Sequence, residues 1–194
     1  MYIIKRMYRY IDPRTIAYPE SNIMWRDYLN LNRNNVEYLE IGSLHGGSLL
    51  MFHNMFGPNV HSTSIDPFCD CDYYPENTTE HDRNFEIYNI NTAQLGDKNV
   101  HIRKPSYEVL PTLQNEFFDA IYIDGNHNLS NILEDAVLCY RKLKSNGYLI
   151  MDDINWGEGE ENTQSTVNSF VNAYTKNKME VVYTCYNQII LKKK

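Results

Sequence analysis

No stretch of this sequence stays apolar for the roughly 18–20 residues that a bilayer-spanning helix needs. Its first residues, Met1-Tyr2-Ile3-Ile4-Lys5-Arg6-Met7-Tyr8-Arg9-Tyr10, are interrupted by charge too often to form the apolar region of a secretory leader. The expectation is a soluble, cytoplasmic protein that does not associate with membranes. Cysteine is scarce. Cys69, Cys71, Cys139 and Cys185 form no C-x-x-C pair, so they indicate neither a zinc site nor a disulfide framework, and reduced thiols are expected. A surplus of positive charge is also missing. The net charge of −7 argues against nucleic acid as the principal partner. Two nucleotide signatures are absent as well. No G-x-x-x-x-G-K-S/T occurs, which excludes a P-loop, and the dinucleotide pattern G-x-G-x-x-G fails because Leu44 occupies its second glycine position.

What is present is an ordinary globular composition, 42% hydrophobic over 194 residues, which suits one domain with a sizeable core. Abundant Asn, Tyr, Ile and Lys point to an A/T-rich genome, viral or cellular. Residues 1–35 read as an arm followed by a helix from Pro19 to Leu31, with Ile23, Met24, Tyr28 and Leu31 on its apolar face. Residues 36–194 read as the core, where strands and helices alternate. Strands are expected at 36–41, 60–65, 100–103, 118–124 and 148–151, and helices at 46–56, from about 82 to 95, 107–115, 129–144 and 166–174. The helix at 107 opens with Ser106 as cap. The helix at 129 carries Leu129, Ile132, Leu133, Ala136, Val137, Tyr140 and Leu143 on one face. Runs at 180–186 and 188–191 are close enough for a terminal antiparallel hairpin. The fold class is therefore α/β, a doubly wound, mostly parallel sheet of seven strands in the Rossmann-like manner. Ligands in such sheets lie at the carboxyl ends of the strands, near the topological switch point.

The polar residues follow the strands accordingly. Glu40 and Gly42 lead into Ser43-Leu44-His45, and Gly46-Gly47-Ser48 opens the next helix. Glycines admit a ligand close to the backbone, and a helix N-terminus offers unpaired N–H groups. A tight turn packing helix on strand would use the same residues. Asp66 closes the second strand, where a carboxylate can accept both hydroxyls of a ribose or simply end the strand before Pro67. Asp124 ends the fourth strand, and Asp152 and Asp153 end the fifth. Carboxylates brought together repel, and a hard divalent cation such as Mg²⁺, Mn²⁺ or Ca²⁺ relieves the repulsion. Alternatively Asp124 orients a substrate while the Asp pair caps a helix. His127, in Asp124-Gly125-Asn126-His127, can serve as a general base, as a metal ligand, or as a helix-start histidine.

Glu-x-Gly-x-x-x-Gly-Gly-Ser, an acid closing strand two, and Ile123-Asp124-Gly125-Asn126-His127 together resemble class I S-adenosylmethionine-dependent methyltransferases. The likeness spans about residues 36 to 155. It is greatest to the metal-dependent O-methyltransferase branch that includes macrolide-sugar and cephalosporin-hydroxylase-like members and, more distantly, catechol O-methyltransferase. The resemblance implies that Glu40 lies near the methionine amino end, with Gly42, Ser43, Gly46, Gly47 and Ser48 lining the turn. It places Asp66 at the ribose, Ser106 and Tyr107 at the adenine, and Asp124 beside the cofactor. It also implies Mg²⁺ held by Asp124, Asp152 and Asp153, with His127 as the base acting on an acceptor hydroxyl. The sequence departs from the commoner G-x-G-x-G form at Leu44 and carries His45 in the loop.

The implied activity is O-methylation of a small polar acceptor, a carbohydrate diol first and a catechol second. RNA or protein methylation, an NAD-dependent oxidoreductase, and a non-catalytic assembly protein remain as alternatives, and homo-oligomerisation stays open. The Pro67–Asp82 stretch, with Phe68, Tyr73, Tyr74, Glu76 and His81, reads as a flap over the pocket. The Ile154–Glu161 stretch reads as a lid, with Trp156 walling the acceptor. His53, His61 and His101 read as structural.

Overall fold

A computed structural model describes residues 19–32, 34–69, 78–159, 162–185 and 187–194. The expected arm, Tyr73, Tyr74, Glu76, Cys71 and the end of the lid lie outside the described residues. The elements run α1 (Pro19–Tyr28), β1 (Val36–Ile41), α2 (Gly47–Phe56), β2 (Val60–Ile65), α3 (Thr78–Thr92), β3 (Asn99–Ile102), the single-turn α4 (Ser106–Val109), β4 (Phe118–Ile123), α5 (Leu129–Lys142), β5 (Leu143–Met151), α6 (Gln164–Tyr174), β6 (Met179–Thr184) and β7 (Ile189–Lys193). The seven strands form one sheet in the order β3-β2-β1-β4-β5-β7-β6. β1 to β5 pair in parallel, and β7 runs antiparallel to both β5 and β6. This is the expected architecture, and the order in which successive strands are added reverses between β1 and β4. Among the described residues no helix is long and apolar enough to cross a membrane.

Strand periodicity divides the core in two. Leu39, Ile41, Ile121, Ile123, Leu149 and Met151 face one layer with Ile132, Ala136 and Cys139 of α5 and Val167 and Phe170 of α6. Tyr38, Ala120, Tyr122, Tyr148 and Ile150 face the other, against Trp25 and Leu29, Leu49, Phe52 and Phe56 of α2, and Tyr88 of α3. The central strands β1, β4 and β5 send apolar side chains to both faces because helices cover both.

Register then sets the site. Ile41 pairs with Ile65 and with Ile123, and Ile123 pairs with Met151. The residues that follow those partners are Asp66, Gly42, Asp124 and Asp152, one on each of four neighbouring strands. They form a single row along the carboxyl edge of the sheet, with three acids and one glycine. Gly42 adopts φ +81, and a Cβ built on it would meet the Asp124 carbonyl oxygen at 1.9 Å. Only glycine fits there.

Several local expectations are corrected. Among the described side chains of α1, Trp25 is fully withdrawn from solvent, with Leu29 buried just beyond the helix, whereas Tyr28 is exposed and the Ile23 side chain lies outside the described residues. The aromatic gap between Phe52 and Tyr122 selects the indole. α3 begins at Thr78, before the expected start. The helix expected at 107–115 is one turn and a 3₁₀ segment, Leu110–Thr112, because Pro111 supplies no N–H to continue the ladder. Pro105 rather than Ser106 holds its N-cap position. In α5, Leu133 is exposed, and Asp135 and Cys139 are buried with Ile132 and Ala136. Cys139 and Cys185 are free thiols, but Cys69 is disulfide-bonded, so the expectation of reduced cysteines fails there.

The close approach at Gly42 generates a stability prediction. Gly42→Ala should cost roughly 3–5 kcal/mol in denaturant unfolding, since left-handed strain adds to a backbone collision. Gly159→Ala, at φ +61 with open space around it, should cost about 1–2 kcal/mol. Equal losses at the two positions would contradict the packing described.

Candidate functional site

The turn after β1 is held open by three left-handed residues, Gly42, Leu44 (φ +41) and Gly46 (φ +79). Leu44 therefore keeps a backbone suited to the glycine it replaces, and its side chain escapes the crowding by lying 54% exposed. Gly46 needs its hydrogen because a Cβ would reach Thr92 Cγ2 at 2.7 Å. Asp66 organises the same turn. Its Oδ2 accepts the backbone N–H groups of Ser43 at 2.8 Å and Leu44 at 2.9 Å, and its Oδ1 accepts that of Phe68 at 2.8 Å. Sequence reasoning placed Asp66 at a ribose and missed this second task. A carboxylate offers about four acceptor positions, so Asp66 keeps little capacity beyond the turn itself.

Three of the buried side-chain atoms that lack a hydrogen-bond partner belong to this turn: Glu40 Oε1, Ser43 Oγ and His45 Nδ1. Glu40 is fully buried, and its Oε2 accepts the Tyr38 hydroxyl at 2.8 Å. Burial raises its carboxyl to about 8; the Tyr38 hydroxyl and nearby Ser48 and Ser43 draw it partly back down, without closing a bond on Oε1. A buried acid with an unused oxygen beside a Gly-rich turn suits a cationic group brought by a ligand. His45, whose role the sequence left open, is tied to α3: its Nε2 lies 2.9 Å from Asn84 Oδ1, and its carbonyl accepts Asn91 Nδ2 at 2.8 Å.

The acids after β4 and β5 divide into two groups. Oxygens of Asp124 and Asp153 and a ring nitrogen of His127 lie within 4.8 Å of one another, so these three can share one divalent cation. Asp152 is not in that group. Its Oδ2 accepts the Tyr122 hydroxyl and, at 3.1 Å, Gln188 Nε2, while its Oδ1 accepts the Asp153 backbone N–H at 2.9 Å. Of the expected set Asp124, Asp152 and Asp153, the structure gathers Asp124 and Asp153 with His127, while Asp152 is hydrogen-bonded to Tyr122 and Gln188. Tyr122 of β4 and Gln188, just before β7, are the two side-chain donors that claim Asp152. Tyr122 also lies 3.0 Å from Asp124 Oδ2, bridging the two acids with its single proton. Burial and then the charges of Asp152 and Asp153 push the Asp124 carboxyl well up. Asp153 is raised by burial and by Asp152, and lowered by His127.

His127 Nε2 stands 3.3 Å from Asp153 Oδ2. Its ring stacks on Trp156 with centroids 5.0 Å apart. Burial lowers its pKa, against the raising influence of Asp153 and Asp152. The net lowering favours the uncharged imidazole, the form that can accept a proton. Trp156 remains 56% exposed and forms an open aromatic wall beside it.

Other expected residues are placed less directly. Tyr107 is 51% exposed beyond β3, available to a flat ring. The Ser106 hydroxyl is bonded instead to buried Asp135 of α5, whose carboxyl burial raises to about 6. Gly47 and Ser48 begin α2. His53 is buried against Ser62 Oγ at 2.8 Å, and burial lowers it to about 4, which fits a structural role. His101 lies among Phe68, Phe85 and Tyr88. Asp135 and Gln188 escaped sequence reasoning, since neither falls in a strand-end motif.

A family model described as a methyltransferase domain matches residues 39–154. An uncharacterized protein, R132, of Acanthamoeba polyphaga mimivirus is 30% identical over 165 residues, which cover 79% of this chain and 69% of that protein. Among solved structures, an O-methyltransferase from Bacillus cereus in complex with SAH superposes with a TM-score of 0.68 at 13% identity, covering 99% of this chain and 86% of that one. The MycE methyltransferase of the mycinamycin biosynthetic pathway, in complex with Mg and SAH, gives a TM-score of 0.61 at 16% identity, covering 90% of this chain and 48% of that one. At these identities the structural likenesses establish the fold.

Glu40 yields a pH prediction. Its folded pKa lies above the unfolded value, so its contribution to stability is complete below about 4.5 and is lost as pH rises through about 8. The melting temperature of Glu40→Gln should therefore gain on that of the wild type as pH rises from about 5 to about 8. Parallel curves over that range would show that Glu40 is not held protonated by burial.

Proposed function

The chain belongs to the methyltransferase-domain family, and from that premise we propose that it transfers the methyl group of S-adenosylmethionine to a hydroxyl of a small polar acceptor, a sugar diol, with a divalent cation at the acid cluster. The observation that carries this reading is the contact of Gly42 with the Asp124 backbone. It sets the Gly-rich turn beside the acid cluster, so a donor in the turn and an acceptor at the acids would meet. SAH in the Bacillus cereus structure, and Mg with SAH in MycE, support the same pair of ligands.

For the donor, the unpartnered Glu40 Oε1 and Ser43 Oγ fit the amino end of the methionine part. Asp66 at the mouth of β2 fits the ribose and Tyr107 the adenine. For the cation, the Asp124 and Asp153 carboxylates, within 4.8 Å of each other and of a His127 ring nitrogen, offer hard oxygen donors suited to Mg²⁺ or Mn²⁺. Bound there, such an ion supplies Lewis acidity that lowers the pKa of a coordinated hydroxyl. Asp124 and Asp153 would hold it, and Asp152 would keep Asp153 in place through the backbone N–H. His127, neutral and stacked under Trp156, would take the proton released as the hydroxyl oxygen attacks the methyl carbon. Trp156 would bound the acceptor, its exposed face suited to the C–H surface of a sugar ring or to a catechol. The acidic surroundings favour a neutral acceptor over an anionic one, which places RNA behind a small diol.

SAH release from S-adenosylmethionine, measured across a panel of sugar and catechol diols, should require Mg²⁺ or Mn²⁺ and stop in excess chelator. Asp153→Asn should abolish it while SAH still binds. His127→Ala should lower turnover by roughly 10²–10⁴ with cation affinity changed only a few-fold. Full turnover in chelator would refute the cation's part. A parallel collapse of cation affinity in His127→Ala would make the imidazole a ligand and leave the base elsewhere.

A further inference from the structure

Gln188 lies directly before β7, and the antiparallel pairing of Ile189 with Met151 sets it opposite Asp152. It therefore extends the row of Asp66, Gly42, Asp124 and Asp152 by one more strand. Gln188 is fully buried, and so is Trp25 of α1. The indole Nε1–H of Trp25 donates to Gln188 Oε1 at 2.7 Å. An indole nitrogen can only donate, so this bond fixes which end of the amide faces which way. The NH₂ group is left pointing at Asp152 Oδ2, 3.1 Å away. The same Asp152 oxygen accepts from Tyr122, which lies against Trp25 with ring centroids 4.8 Å apart and bridges to Asp124 Oδ2 at 3.0 Å.

We propose that Gln188, with its amide oriented by Trp25, is the positioning residue of the acid cluster: it anchors Asp152 to the sheet and so leaves Asp124 and Asp153 free to bind the cation. The link is long-range, since Trp25 and Gln188 lie 163 residues apart, and it couples the helix preceding the core to the ends of β4 and β5. A purely structural use of the pair is a poor account of it. A buried amide needs four hydrogen-bond partners at most, and this one gives a donor to an acid in contact with the cluster when a nonpolar pair would fill the same space without the cost of desolvating polar groups. The inference rests on the cation reading given above.

The test is Mn²⁺ titration of the full chain by calorimetry, together with the indole N–H signals in the nitrogen–proton correlation spectrum. The chain has two tryptophans, so two indole signals are expected, and Trp25→Phe assigns them. In the wild type, diamagnetic Mg²⁺ should move both signals, that of Trp156 through His127 and that of Trp25 through Gln188 and Asp152. Gln188→Met preserves length and volume; it should weaken Mn²⁺ binding by about 10-fold, the lower end of the effect of losing a partner behind a metal ligand, because Gln188 reaches the ligands through Asp152. At saturating Mg²⁺ it should also abolish the response of Trp25 while that of Trp156 persists. Trp25→Phe keeps an aromatic ring in place and should weaken Mn²⁺ binding several-fold in the same direction. Wild-type affinity within about twofold in both variants would overturn the role of Gln188 and leave the cation site standing. A wild-type chain that binds no Mn²⁺ would instead overturn the cation reading, and this inference with it.

Discussion

Parallel pairing in register at β1 is the constraint on which the site depends. Because Ile41 is level with both Ile65 and Ile123, the chain must leave β1 between two acids, Asp66 on one side and Asp124 on the other. A shift of one residue would turn those carboxylates to the opposite face of the sheet, against the apolar layer of α5 and α6. The register is fixed in turn by the alternation of the strands. Tyr38, Ala120, Tyr122 and Ile150 must meet α1, α2 and α3, while Leu39, Ile121 and Leu149 must meet α5 and α6. Burial on both faces thus decides where the polar edge falls.

Within that edge, Gly42 does what no other residue could. It lets the backbones of β1 and β4 come into contact, at the point where the winding of the sheet reverses. The consequence is that the fixed amides of the turn and the clustered acids lie side by side. Asp66 spends most of its acceptor capacity keeping the turn in shape, and Asp152 spends its own keeping the acid cluster in shape. Glu40 Oε1, Ser43 Oγ and His45 Nδ1 in the turn are left without a partner, while the Asp124 and Asp153 carboxyls, paired with Tyr122 and His127, are pushed up by burial and by neighbouring carboxylates. A protein of this size is expected to satisfy its buried polar atoms, so the concentration of exceptions at one edge is informative.

The sequence was most legible where periodicity and strand ends coincide. The strands at 36–41 and 60–65, the terminal hairpin, the turn from Glu40 to Ser48, and the convergence of Asp124, Asp153 and His127 all follow from apolar runs and the residues that end them. It was less legible where tertiary contacts choose among equals. Nothing local distinguishes Asp152 from Asp153; the difference arises because Tyr122 of β4 and Gln188, just ahead of β7, both donate to the first. Trp25 rather than Tyr28 is buried in α1 because a gap between Phe52 and Tyr122 exists only in the folded sheet. Leu44 reads as a broken motif, yet it keeps the left-handed backbone of a glycine once Asp66 holds its N–H.

The central claim is that the Gly-rich turn and the acid cluster form one site for a methyl donor and a divalent cation. The most direct measurement is a crystal structure grown with SAH and Mn²⁺, with the metal located by its anomalous scattering. The account predicts SAH seated in the turn between Glu40 and Asp66, and a single anomalous peak between the carboxylates of Asp124 and Asp153. SAH bound elsewhere, or manganese absent from those two acids while present at others, would contradict it.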